Sequence, residues 1–249
     1  MGPRAFYEDA TEAYQLPRVV RLAPNLFAVC FTLMKMIPAR YILRRALREG
    51  LLAPGTIINR LAEIRGELPA TFCPEQYSNP DNPRSYAVVA ELLVEALGQV
   101  DCVVGPIGSG GSTGNSLMPP SMDHRVFDCV HWCTAAEAYR ATRHLHRRHA
   151  LFMGPTSGAA YLVGRWWARK HPGALTVVLM PDEGYRYLDT VYDDAWLAAQ
   201  GYGATVLPDE PLTVRDPTRP GSRWTAYDWG KRSYTEVMAA ARDDLVGLR

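Results

Sequence analysis

The chain has 249 residues, room for one large or two small domains, and its 47% hydrophobic and 21% charged residues are ordinary for a soluble globular protein. A formal net charge of +1 creates no global field toward nucleic acid or an anionic membrane, so neither is expected as a partner. No apolar run reaches the ~18 residues of a membrane span, and MGPRAFYEDATE lacks the apolar core of a signal peptide, so a cytoplasmic protein is the expectation.

Residues 1–24 read as an N-terminal arm with a short apolar stretch, VVRL. Residues 25–31 (NLFAVCF) have strand composition. A helix is predicted over 38–52, with Pro38 in its first turn, an apolar stripe of Ile42, Leu43, Ala46 and Leu47, and Gly50 at its end. GTIIN reads as a brief strand, and SNPDNP (78–83) is a turn cluster. Val88, Val89, Leu92, Leu93 and Leu97 have helical spacing within 85–97, and Gly98 suits the cap. VDCVVG (100–105) follows as a short buried strand. Residues 126–133 alternate as a strand does. Helices are predicted over 135–149 and 157–169, then a buried strand at LTVVLM (175–180). From Gly201 the chain is rich in Pro, Arg and Trp and reads as a wrapping tail ending in a helix, 234–245. Strands alternating with helices predict a parallel sheet, and such sheets bind ligands at the carboxyl ends of their strands.

Two clusters invite other chemistry. Cys129 and Cys133 flank His131 in FDCVHWC, yet no second ligand pair with zinc spacing accompanies them, so no metal is expected. The five cysteines, without secretory context, are expected to be reduced. RHLHRRH (143–149) has helical spacing in a near-neutral chain and reads as a solvated face.

The stretch after VDCVVG is the most informative. Gly108, Ser109, Gly110, Gly111 and Ser112 form a loop in which backbone amides can converge on an anion, because glycine permits positive φ and close approach of a ligand. No lysine stands where a Walker A loop needs one, and the glycine spacing is not that of a dinucleotide fingerprint. A plain turn would also use such glycines.

GPTSGAA (154–160), PDEGYRYLDTVY (181–192) and QYSNPDN (76–82) occur with this loop in a fixed order. Together they resemble the pyridoxal-phosphate enzymes of fold type II, in the cysteine synthase and cystathionine β-synthase branch, with greatest closeness from Gln76 to about Gly203. The resemblance implies an α/β fold built on a parallel sheet, like the tryptophan synthase β chain, with the small domain largely truncated. It implies pyridoxal 5'-phosphate as cofactor, with Gly108, Ser109, Gly110, Gly111 and Ser112 around its phosphate. Thr156 stands where the family's serine or threonine meets the pyridine nitrogen. A hydroxyl there does not by itself hold a proton on that nitrogen, which makes a weaker electron sink. The same TSGAA also reads as a helix start with Thr156 as N-cap, and both readings can hold. MKMIPARYILRRALREGLLAPG resembles the segment after the family's cofactor lysine, which places Lys35 in that role. Met36 and Ile37 replace the signature's Asp and Arg. Lys35 is the only lysine in the first 169 residues and sits in apolar LMKMIP, surroundings that favour a nucleophilic amine.

Two family segments are missing. No SGN loop for the substrate carboxylate occurs between Ile58 and Gln76, and Thr113-Gly114 runs directly into Asn115. Each charge-assisted hydrogen bond lost with that loop is worth about 1.5–3 kcal/mol. Lost strands would also expose sheet edges that a second copy or a partner subunit could cover. The expected organisation is an arm (1–24), a small-domain remnant carrying Lys35 (25–75), a cofactor-binding α/β domain (76–203) and a tail (204–249). The expected activity is β-replacement or β-elimination on an O-activated serine, giving cysteine or a 2,3-diaminopropionate-type amino acid. The alternative is a degenerate, noncatalytic homologue acting as a binding or partner subunit.

Overall fold

In the computed structural model, the described residues are 18–30, 63, 66, 67, 87–107, 122–203, 206–218 and 221–246. Lys35, the 38–52 helix, GTIIN, the SNPDNP turn and the glycine loop from Gly108 to Ser112 lie outside them.

The main sheet has the order β1-β2-β5-β3, from β1 (Arg18–Ala23), β2 (Leu26–Cys30), β3 (Cys102–Val104) and β5 (Thr176–Met180). β2, β5 and β3 are parallel, whereas β1 turns back antiparallel onto β2. VVRL is thus part of a strand that its sequence did not announce. β2, from the segment carrying Lys35, lies in the same sheet as the strand that leads to the glycine loop.

Period-2 alternation explains why this sheet is apolar on both sides. Leu26, Ala28 and Cys30 of β2 and Val178 and Met180 of β5 enter one core, where they meet Leu145, Ala160, Tyr161 and Ala168. Those partners belong to α2 (Ala135–His149) and α3 (Pro155–Lys170). Val29 and Val177 point the other way, onto Leu93 and Val89 of α1 (Ala87–Leu97). Helices therefore cover both faces.

α2 starts at a capping box. Thr134 Oγ1 accepts from Glu137 N while Glu137 Oε2 accepts from Thr134 N at 2.9 Å. The other Glu137 oxygen accepts from Trp224 N at 2.7 Å, so one buried carboxylate ties the helix start to the C-terminal segment. α3 starts differently from the sequence reading. Gly154 is its N-cap and Pro155 its first residue, so Thr156 lies inside the first turn rather than at the cap.

A second sheet, β4-β7-β6, joins β4 (Cys129–Trp132) to β7 (Thr225–Asp228) and β6 (Leu212–Thr213). The C-terminal segment is therefore more than a wrapping tail. It pairs β7 with β4, buries Trp224 and Trp229, and ends in α5 (Tyr234–Val246). A short helix, α4 (Asp194–Ala199), is capped by Asp193.

The solvated reading of RHLHRRH needs revision at two positions. His146, Arg147 and Arg148 are exposed, but His144 Nδ1 and His149 Nε2 each lie 3.2 Å from the buried Tyr161 hydroxyl. Among the described residues no cluster of His, Cys, Asp and Glu could hold a metal. Cys129 Sγ donates to Tyr227 O at 3.1 Å, and burial, then the nearby Glu137 charge, push the Cys133 thiol up to about 12. No helix among them is long and apolar enough to cross a membrane.

His131 gives the fold a pH dependence. Its Nδ1 accepts from Trp224 Nε1 at 3.2 Å, and burial pulls its pKa down from 6.5 to about 4. The folded state keeps this imidazole neutral, whereas the unfolded chain protonates it below 6.5. The unfolded state then binds more protons, so stability falls as pH falls from 6.5 and levels off near 4. The shift corresponds to about 3 kcal/mol at one pKa unit per 1.36 kcal/mol. The urea midpoint is expected to drop steadily across this window. A flat midpoint would contradict a buried neutral His131.

Candidate active site

Three parallel strands end at one edge of the main sheet. Cys30 of β2 pairs with Met180 of β5, and Val104 of β3 pairs with Val178. From this edge the chain continues toward Lys35 after β2, toward Gly108 after β3, and into Pro181-Asp182 after β5. The strands that precede the two sequence features read as cofactor-binding flank β5 and end on the same side of the sheet.

The start of α3 is fastened to this edge. Gly154 N donates to Asp182 O at 3.0 Å, and Thr156 Oγ1 donates to Asp182 Oδ1 at 3.1 Å. At the opposite edge, Asn25 Nδ2 reaches the carbonyls of Ala168, His171 and Ala174 at 2.9–3.1 Å, which fixes the far end of α3 beside the start of β2. α3 therefore spans the sheet, with Thr156 at the carboxyl edge and Lys170 at the other.

GPTSGAA and PDEGYRYLDTVY, separate in sequence, form one unit. Gly184 N donates to Phe152 O at 2.9 Å, and Met153 bridges to Glu183. Tyr192 OH donates to Met153 O at 2.7 Å. Two glycines permit this closeness. A Cβ on Gly154 would strike the Asp182 carboxylate, and one on Gly184 would lie 2.8–2.9 Å from the rings of Phe152 and Tyr192.

Asp182 is the charged centre of the unit and is only 7% exposed. Its second oxygen accepts from Tyr187 OH at 2.8 Å. Burial, and then the Asp182 charge, raise the Tyr187 pKa far above its ordinary value, so the phenol stays a donor. Sequence reasoning gave Asp182 no role. The available signal was the PD pair immediately after a buried strand, where a parallel sheet places ligand-binding groups.

Of the residues read as functional, Thr156 lies at the carboxyl edge with Asp182. Lys35, Gly108, Ser109, Gly110, Gly111 and Ser112 lie outside the described residues. The chain has three lysines. Lys170 is paired with Glu210 at 3.2 Å on the surface, and Thr156 and Lys170 lie about 21 Å apart along α3 at 1.5 Å per residue. Lys231 pairs with Asp128 at 3.5 Å beside the second sheet.

No family model matches the chain. Cysteine synthase of Helicobacter pylori is 25% identical over 173 residues, which cover 53% of this chain and 56% of that protein. N-(2-amino-2-carboxyethyl)-L-glutamate synthase of Ralstonia nicotianae is 35% identical over 118 residues, 46% of this chain and 35% of that protein. The chain thus spans about half or less of the length of these relatives. Among solved structures, O-acetylserine sulfhydrylase isoform 3 from Entamoeba histolytica superposes with a TM-score of 0.55 at 17% identity, covering 77% of this chain and 93% of that one. The O-acetylserine dependent cystathionine beta-synthase from Helicobacter pylori gives 0.52 at 16%, covering 72% and 96%.

Proposed function

Because the chain belongs to the cysteine synthase-like family of fold type II pyridoxal-phosphate enzymes, we propose that it binds pyridoxal 5'-phosphate at the carboxyl edge of β2, β5 and β3. The activity proposed is β-replacement or β-elimination on an O-activated serine. The observation that carries this reading is the shared edge, where the strands leading to Lys35 and Gly108 meet the Thr156–Asp182 pair.

The described residues fit the cofactor. Thr156 offers a hydroxyl beside a buried carboxylate, at a helix start that glycine keeps free of a Cβ. Backbone amides and hydroxyls of Gly108 to Ser112 would hold the phosphate. Lys35 would carry the cofactor and remove the substrate α-proton. The bound cofactor supplies the electron sink for breaking the α-C–H and β-C–O bonds. Lys170 and Lys231 are engaged at other places, which leaves Lys35 as the amine for this role.

The relatives' names set the acceptors worth testing. One is a cysteine synthase, and the other is named for joining an aminocarboxyethyl group to glutamate. The purified chain, supplied with cofactor and O-acetylserine or O-phosphoserine, is expected to form a β-substituted alanine with sulfide or with L-glutamate. Mass spectrometry of the products separates the two. Cofactor retention without any product would favour the noncatalytic reading, to which the missing SGN loop points.

A further inference from the structure

We propose that His144, Tyr161 and His149 form a one-way hydrogen-bond relay in the seam between α2 and α3, and that imidazole protonation breaks it and releases Arg165. The relay involves no cofactor. Tyr161 is 2% exposed, and its hydroxyl lies 3.2 Å from both His144 Nδ1 and His149 Nε2. Arg165 Nη1 lies 3.4 Å from the other His144 nitrogen, Nε2. An arginine only donates, so His144 Nε2 must accept. In a neutral imidazole the second nitrogen then carries the proton, and His144 Nδ1 donates to Tyr161. The single phenol proton is thereby left for His149 Nε2, which must also accept. Only one direction satisfies all three contacts: Arg165 to His144, His144 to Tyr161, Tyr161 to His149.

Protonation at either end is incompatible with this direction. On His144 it puts an N–H on Nε2, against the Arg165 guanidinium. On His149 it puts an N–H on Nε2, which can then no longer accept from Tyr161. The phenol proton must turn to His144 Nδ1, whose own proton moves to Nε2 and again meets Arg165. Either event displaces Arg165. No carboxylate stands by to offset the added charge. The only acid on α2 and α3 is Glu137, which is committed to the capping box and to Trp224 N. Around the relay, Arg147, Arg148 and Arg165 make no ion pair among the described residues, and Arg169 is paired with Asp209 at 3.6 Å. β1, β2 and β5, which share a core cluster with Tyr161, carry no acid, and β1 adds Arg18 and Arg21. Burial first, then the neighbouring cations, holds both imidazoles below their usual 6.5. Burial also raises the Tyr161 pKa, so the phenol keeps its proton. The relay is therefore set at neutral pH. The unfolded chain takes up these protons below 6.5 while the folded relay resists them, so its contribution to stability is lost as pH falls. α3 also opens at the Thr156–Asp182 contact, so the switch lies on the helix that frames the candidate site.

The test is nitrogen NMR of the full chain with nitrogen-15 in its histidine and arginine side chains, followed from neutral pH into acid. His144→Gln, His149→Gln and Arg165→Gln assign the signals. At neutral pH both imidazoles are expected to carry their proton on Nδ1, the tautomer that a free imidazole in water disfavours. In acid, titration of one ring is expected to shift the signals of the other, and the Arg165 side-chain N–H is expected to lose its protection from solvent exchange in the same step. Tyr161→Phe removes the shared hydroxyl. It is expected to return His149 to the Nε2 tautomer, to leave His144 as it is and to uncouple the two titrations. Arg165→Gln removes a cation and the donor that fixes His144, and the His144 midpoint is expected to move to higher pH, which covers the case in which Tyr161→Phe does not fold. An Nε2 proton on either neutral ring of the wild type overturns the proposal. So do titrations equally coupled in Tyr161→Phe, a His144 midpoint unmoved by Arg165→Gln, and an Arg165 N–H that stays protected in acid.

Discussion

Gly158→Ala is expected to destabilise the chain by about 3 kcal/mol, at the upper end of the usual cost of overpacking. Gly158 lies in the early part of α3, against α2. A Cβ there would overlap Thr142 Oγ1 and lie 2.6 Å from both Ala138 O and Thr142 N. Two of these three atoms are backbone, and they cannot rotate away as a side-chain tip does. Thr142 is itself committed, donating to Ala138 O at 2.8 Å. Relief requires α2 and α3 to separate, which opens the core around Leu145, Ala160 and Tyr161. It also shifts the start of α3, and with it Thr156 relative to Asp182. Thermal unfolding should fall by roughly 6–12 °C for a chain of this size. Gly173→Ala is the control, because nothing lies within 4 Å of a Cβ at that position. A Gly158→Ala protein as stable as this control would contradict the helix packing.

Lys35→Ala is expected to abolish β-replacement. As general base alone, the amine would contribute about 10²–10⁴ in rate, and its loss also removes the attachment of the cofactor. No other lysine is placed to substitute. Lys170 lies at the far end of α3, beside Asn25 and the start of β2, and Lys231 is paired with Asp128. The variant is therefore expected to lose product formation, with the far-ultraviolet circular dichroism of the folded chain as the check that the loss is chemical. Full activity in Lys35→Ala would overturn its assignment.

The regular part of the fold was legible where burial dictated the residue pattern. VVLM (177–180) is apolar without interruption because both of its faces are covered, and FAVC is apolar for the same reason. The helix predicted over 135–149 has those bounds in the structure, where a capping box opens it. β1, β6 and β7 were less visible. RVVRLA has exposed arginines at positions where a buried strand would not place them, and its order depends on pairing with β2. β7 is buried by partners from β4, nearly a hundred residues earlier, and no local pattern encodes that pairing.

The site was legible in part. The TSGAA segment could be read because Gly158 leaves no room for a Cβ, whereas the glycine loop lies outside the described residues. Asp182 could not be assigned, because its role depends on Gly154 and Thr156 being folded against it from another element. The same geometry places Thr156 inside the first helical turn rather than at the cap, which is what directs its hydroxyl proton at a carboxylate.

The central claim, that this chain carries pyridoxal 5'-phosphate on Lys35, is tested most directly by borohydride reduction of the cofactor-loaded protein followed by peptide mass mapping. With only three lysines, the outcome is unambiguous. The account predicts a reduced cofactor adduct on the peptide containing Lys35 and none on those containing Lys170 or Lys231. An adduct confined to either of those two, or no adduct at all, would contradict it.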